Sequence, residues 1–190
     1  MLDALIRHIQ KYVSLTKAEQ DILPDFFKSV QVQKKEILLR EGSSCQELFF
    51  VEKGCLRMYF IDEKGREQIT HFAIENWWLT DYSAFGTAQP ASFSIQAVED
   101  TTLIRIHHQK LTALSVELPI IDKYLRLNLQ KAYGAAQSRI KMIYALSKET
   151  VFNDFNRKFP DFVQRVPQYM LASFLGFTPE YLSELRKKIK

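Results

Sequence analysis

The stretch from Pro167 to Lys190, PQYMLASFLGFTPEYLSELRKKIK, admits few folds. Leu171, Phe174 and Leu175 recur at helical spacing, and after a break Leu182, Leu185 and Ile189 do so again. Gly176 stands where a first helix needs a left-handed closing residue, a conformation glycine adopts without steric cost. Thr178-Pro179-Glu180 restarts a helix, with a hydroxyl as N-cap, proline at the first helical position and a carboxylate at the positive end of the dipole. Ala172 is small where the two helices would cross. The order Ala172, Gly176, Leu182, Leu185 is the spacing of a helix-turn-helix.

A helical hairpin that merely closes a small core has the same pattern, so charge has to separate the two uses. The outer face of the second helix carries Glu180, Ser183, Arg186, Lys187 and Lys188, groups that reach base edges or phosphates. Residues 131–190 hold 11 Lys+Arg against 5 Asp+Glu, whereas the first 130 hold 15 against 17. A mildly acidic body with a basic end points to nucleic acid more than to a membrane. No apolar run approaches a membrane span, and Asp3 and Arg7 do not suit a signal peptide, so a cytoplasmic location is expected. Two cysteines, Cys45 and Cys55, are too few for a disulfide scaffold or a four-cysteine cluster; buried thiols are expected.

Taken in order, residues 1–29 read as helical: Leu2, Leu5, Ile6, Ile9 and Val13 mark one face, and Thr16-Lys17-Ala18-Glu19 has the form of a capping box. From Val30 the period shortens to seven or eight strands with turn signals between them. Asp62-Glu63-Lys64-Gly65 is a hairpin connection, with Gly65 at a position suited to positive φ. Strands at this even spacing suggest a barrel or jelly roll. From Val116 a stripe of Leu118, Ile121, Leu125, Leu129, Ala132, Ala136, Ile140 and Ile143 predicts one helix of about seven turns. Ala132, Gly134, Ala135 and Ala136 thin its middle enough for a second helix to approach, so either pairing in a homodimer or packing on its own domain fits. Val151, Phe152, Phe155 and Phe159 anchor a last domain, and Pro160 is read as ending that helix.

With Gly42, Leu48-Phe49-Phe50-Val51-Glu52-Lys53-Gly54, the 62–65 hairpin and Ala97-Val98-Glu99-Asp100 in this order before the helix-turn-helix, the chain resembles the Crp–Fnr family of bacterial transcription regulators over nearly its whole length. The resemblance implies an α+β fold. An N-terminal double-stranded β-helix (jelly-roll) of cyclic-nucleotide-binding type would cover residues 1–115 and a dimerisation helix residues 116–147. A winged-helix-type helix-turn-helix would cover residues 148–190, with the wing absent from this sequence. It also implies a phosphate cassette, a Gly-Glu pair and an Arg-Ser pair, in the effector pocket. Here Thr80 falls on the glycine, Asp81 on the Glu, Ala91 on the Arg and Ser92 on the Ser, with Tyr82 and Ser83 between. Without the Arg, a buried phosphate lacks its strong cation, so cyclic AMP is not expected as a tight ligand. Trp77, Trp78, Tyr82 and Phe85 would line an apolar pocket or serve as ordinary core.

In the reading helix the family's Glu and Ser are matched by Glu180 and Ser183, but Glu184 replaces the Arg, which puts the usual guanine contact in doubt. Arg186, Lys187 and Lys188 would be phosphate contacts, assisted by Gln168, Tyr169 and Ser173, with Thr178 also among the DNA-binding residues. The implied partners are double-stranded DNA, a second copy of the chain, an unidentified small-molecule effector and RNA polymerase. No cofactor and no metal is expected. His71, His107 and His108 have no four-ligand spacing, and adjacent histidines on a strand point to opposite faces. No catalytic constellation is present in the sequence, so no enzyme is expected. The competing reading is a ligand-binding sensor whose C-terminal domain contacts protein rather than DNA.

Overall fold

The computed structural model describes residues 2–188. They form two compact units: Met1–Phe60 with Thr70–Asn128, and Ile61–Ile69 with Leu129–Lys190.

The first unit opens with α1 (Asp3–Ile9) and α2 (Lys17–Phe26). The capping box forms as the sequence predicts: Thr16 Oγ1 accepts the Glu19 N–H at 3.3 Å, and Glu19 Oε2 accepts the Thr16 N–H at 2.7 Å. Eight strands follow: β1 (Lys28–Val32), β2 (Ile37–Leu39), β3 (Glu47–Lys53), β4 (Leu56–Ile61), β5 (Glu67–Ala73), β6 (Trp78–Leu79), β7 (Ser94–Ala97) and β8 (Thr101–His107). They form two four-stranded sheets, ordered β1-β8-β3-β6 and β2-β7-β4-β5. Alternation along β3 assigns its two faces. Phe49 and Val51 join Leu56, Met58, Ile95 and Leu103 in one apolar cluster, with residues from both sheets. Leu48 and Phe50 join Ile104 and Ile106 in another, covered by Leu5, Ile9, Leu23, Leu114 and Ile121 from helices. A strand buried on both faces loses its polar alternation, which is why 48–51 reads as an unbroken apolar run. Gly54 turns β3 into β4 at φ +113°, and a Cβ there would lie 2.4 Å from the Thr101 hydroxyl.

Two expectations need correcting here. His107 and His108 do not share a strand. His107 ends β8 and its Nδ1 accepts the Gln109 N–H at 3.2 Å, capping α3 (His108–Glu117). Nor does the long helix begin at Val116, which lies in α3. Pro119 has no N–H to continue that helix and drives Leu118 to φ −132°, ψ 76°, so α4 (Ile120–Ala145) starts afresh beyond it.

In the second unit, α5 (Lys148–Lys158), α6 (Pro160–Arg165), α7 (Gln168–Leu175) and α8 (Pro179–Lys188) surround one cluster of Val151, Phe152, Val163, Leu171, Leu175, Leu182 and Leu185. Pro160 ends α5 as predicted but also starts α6, at whose first turn its missing N–H costs nothing. Ile189, assigned to the last helix by its spacing, lies outside the described residues. No helix among the described residues is long and apolar enough to cross a membrane.

Candidate nucleic-acid interface and effector cassette

The α7–α8 pair forms the predicted turn. Gly176 closes α7 at φ 74°, ψ 30°, and the Phe177 N–H reaches back to the Ala172 carbonyl at 2.8 Å. Ala172 is fully buried, as its small size at the crossing requires. Thr178 Oγ1 accepts the Tyr181 N–H at 3.2 Å, and Pro179 is the first residue of α8. On α8, Leu182 and Leu185 are buried, while Glu180, Glu184 and Lys187 are exposed and Ser183 is half-buried. At 100° per residue, 180, 183, 184 and 187 share one face opposite the two leucines, and Arg186 flanks it, half-buried. The Lys188 side chain lies outside the described ones. On α7, Tyr169 is exposed, and Gln168 and Ser173 are half-buried. Arg139, on α4, stacks over the Phe174 ring at 4.2 Å and donates to the Phe174 carbonyl. Burial lowers its pKa from the usual guanidinium value.

Ser173 does not stand free for a phosphate. Its Oγ accepts the Ile69 N–H at 2.9 Å and donates to the Glu67 carbonyl at 2.9 Å. Around that contact lies a cleft of about 360 Å³, with Arg66, Gln68 and Ile69 on one side and Tyr169, Phe177 and Thr178 on the other. The hairpin residues are the part of this region that sequence reasoning missed. Ile69 and Ser173 are 104 positions apart, and no local pattern relates them.

The cassette residues of the first unit come together, but around one another. Asp81 is 2% exposed. Its Oδ1 accepts the Ser83 N–H at 3.1 Å and the Ser83 hydroxyl at 2.6 Å, and its Oδ2 accepts the Ser92 N–H at 2.7 Å. Thr80 Oγ1 donates to the Glu47 carbonyl at 2.9 Å, leaving its lone pairs to face the Cys45 thiol at 3.2 Å. Ala91 is buried and its N–H donates to the Ser43 carbonyl. A carboxylate thus holds the Ser92 amide at the position where the resemblance implies a phosphate contact. Tyr82 and Trp77 are about half exposed. Trp78 is core-facing, its ring tilted against Phe50 at 5.1 Å, and its Nε1 donates to Tyr124 Oη.

The stripe on α4 divides. Ile121 is 1% exposed and, with Leu125 packed beside it, belongs to the helix-covered cluster of its own unit. Leu129 and Ile140 are 46% and 56% exposed, joined by Tyr133, Ile143 and Tyr144, while Ala132 is exposed and Ala136 half-buried between them.

Residues 29–117 match the family model of the cyclic nucleotide-binding domain. The chain is 32% identical over 139 residues to the transcriptional activator protein FnrA of Stutzerimonas stutzeri, a match covering 73% of this chain and 55% of that one. The chain thus spans about half the length of the curated relatives it matches at this level. It is 26% identical over 187 residues to the fumarate and nitrate reduction regulatory protein of Escherichia coli K12, covering 90% of this chain and 73% of that one. Among solved structures, FixK2 from Bradyrhizobium japonicum superposes with a TM-score of 0.73 at 15% identity, over 86% of this chain and 84% of that one. A putative transcriptional regulator of the crp/fnr family from Eubacterium rectale gives 0.70 at 17% identity, over 92% and 83%. The chain is thus similar over most of its length to transcription regulators of the Crp–Fnr family.

Proposed function

We propose that this chain is a DNA-binding transcription regulator that acts as a homodimer and does not take cyclic AMP as its effector. Residues 1–115 serve as the sensor, α4 (Ile120–Ala145) as the dimer helix and 148–190 as the DNA reader. The observation that carries the reading is α8: a capped helix with two leucines anchoring one side and Glu180, Ser183, Glu184 and Lys187 on the other. Glu180 accepts from a cytosine amino group, Ser183 meets base or phosphate, and Lys187 with Arg186 meets phosphate. Exposed Leu129, Tyr133, Ile140 and Ile143 on α4 offer the apolar seam for a second copy. Two readers then sit about 34 Å apart over successive major grooves of a pseudo-palindrome. The relatives named as transcriptional activators bring RNA polymerase into the same reading as a further partner.

Against cyclic AMP stands Ala91, where a buried phosphate needs a cation; the Ser92 amide beside it is already held by Asp81 Oδ2. The experiment is selection from a random duplex library at low salt, then a salt titration of the enriched sequence with and without cyclic AMP. A two-fold motif, an affinity that falls steeply with salt and no response to cyclic AMP are expected. No enrichment from folded dimeric protein would favour a protein-contacting C-terminal domain instead. A cyclic AMP response would sink the reading of the cassette.

A further inference from the structure

We propose that the tip of the β4–β5 hairpin masks the helix-turn-helix: docked on Ser173, it covers part of the face that would meet DNA, and it must leave before DNA binds. This rests on the DNA reading above. The tip, Ile61–Ile69, falls in the same compact unit as α7 and α8. β5 is the edge strand of its sheet, and a sheet edge presents a row of backbone N–H and C=O groups open to pairing. Ser173 takes two of these groups. Its hydroxyl accepts from Ile69 and donates to Glu67, two positions back on the same edge, as a neighbouring strand would. The hydroxyl has one proton, and the Glu67 carbonyl holds it, so none is left for a phosphate oxygen.

The surroundings point the same way. Tyr169 and Ser173, two of the residues placed at phosphates, line the cleft with Thr178 against Arg66, Gln68 and Ile69. At Ser173 a duplex backbone and the hairpin tip therefore compete for one hydroxyl, while Tyr169 and Thr178 stay exposed beside it. The tip is unsuited to help bind DNA itself. Asp62, Glu63 and Glu67 outnumber Lys64 and Arg66, and the Arg66 guanidinium is held by Asp62 Oδ2 at 2.7 and 2.9 Å. The tip is also pre-shaped: Asp62 Oδ1 accepts the Lys64 and Arg66 N–H groups, both at 2.9 Å, and Oδ2 accepts the Gln68 amide at 2.9 Å. An ordered hairpin presents Glu67 and Ile69 to Ser173 with little entropy left to lose.

The test perturbs the hairpin from its own side, because Ser173 belongs to both functions. Asp62→Ala removes the carboxylate that shapes the tip. Affinity of the full chain for its enriched duplex, read by fluorescence anisotropy, is expected to rise about tenfold. The reverse perturbation is Gln68→Cys with Phe177→Cys, joined by a reducible bis-maleimide; native Cys45 and Cys55 are buried. The joined form is expected to lose duplex binding at least tenfold, and reduction of the linker to restore it. Unchanged or weaker binding by folded Asp62→Ala protein, or equal binding by joined and reduced forms, overturns the inference and leaves the DNA reading intact. Binding by no form, reduced and unmodified included, overturns the DNA reading and this inference with it.

Discussion

One phenolic oxygen joins three elements of the first unit. Trp78 Nε1 donates to Tyr124 Oη at 2.8 Å, and the same oxygen lies 2.8 Å from His8 Nδ1. The phenolic oxygen thus accepts from the indole and shares a second hydrogen bond with the imidazole, whose tautomer decides which of the two donates. Tyr124→Phe keeps the shape but strands a buried imidazole nitrogen and an indole N–H. It should cost about 1–3 kcal/mol in urea unfolding. An unchanged midpoint at unchanged slope would mean the bonds contribute nothing. The phenol also has a pH signature. Burial, its main cause, raises the Tyr124 pKa above the ordinary 10.0. Only the neutral form is thus favoured in the fold, so its contribution is whole below pH 10 and drains as pH rises beyond it. The wild type should lose more stability than Tyr124→Phe between pH 10 and 11, and parallel curves would refute that assignment.

At the level of elements, α4 does two jobs along its length. Its first turns bury Ile121 and Tyr124, whereas Leu129, Tyr133, Ile140 and Ile143 stay uncovered. Ile140→Glu should therefore leave thermal stability of the isolated chain nearly unchanged yet shift the protein from dimer to monomer in light scattering. A dimer that survives at micromolar concentration would place the seam elsewhere. The helical spacing alone put Ile121 and Ile140 on one stripe, because periodicity reports a face and not what covers it. Features governed by neighbours in sequence were legible: the Thr16–Glu19 box, the 62–65 turn with Gly65 at φ +73°, and the Gly176 closure. α6 is hidden in the sequence because Pro160 reads as a stop, although proline also suits a first turn. The Asp81–Ser92 bond and the Ser173 latch were not legible at all. Each depends on a backbone group brought in by tertiary structure, 11 and 104 positions away.

For the whole molecule, the uneven charge makes a prediction that separates positioning from reading. Residues 131–190 carry the basic excess while the rest is slightly acidic, so attraction to a polyanion acts through one end of the chain. Glu180 and Lys187 lie on one face of α8 and would fail differently. On the proposed reading, Lys187→Ala removes a phosphate contact. It should weaken every duplex about equally and reduce the slope of log affinity against log salt by about one per site. On the same reading, Glu180→Gln removes a carboxylate that accepts from one base. It should leave that slope in place and relax the preference at one symmetric position of the enriched motif, a discrimination of about 1–3 kcal/mol. Repeating the library selection with both variants reads this directly. If Glu180→Gln lowers affinity uniformly while the motif keeps its information, Glu180 does not touch a base edge. The reading face would then lie around the other end of α8, toward Lys187.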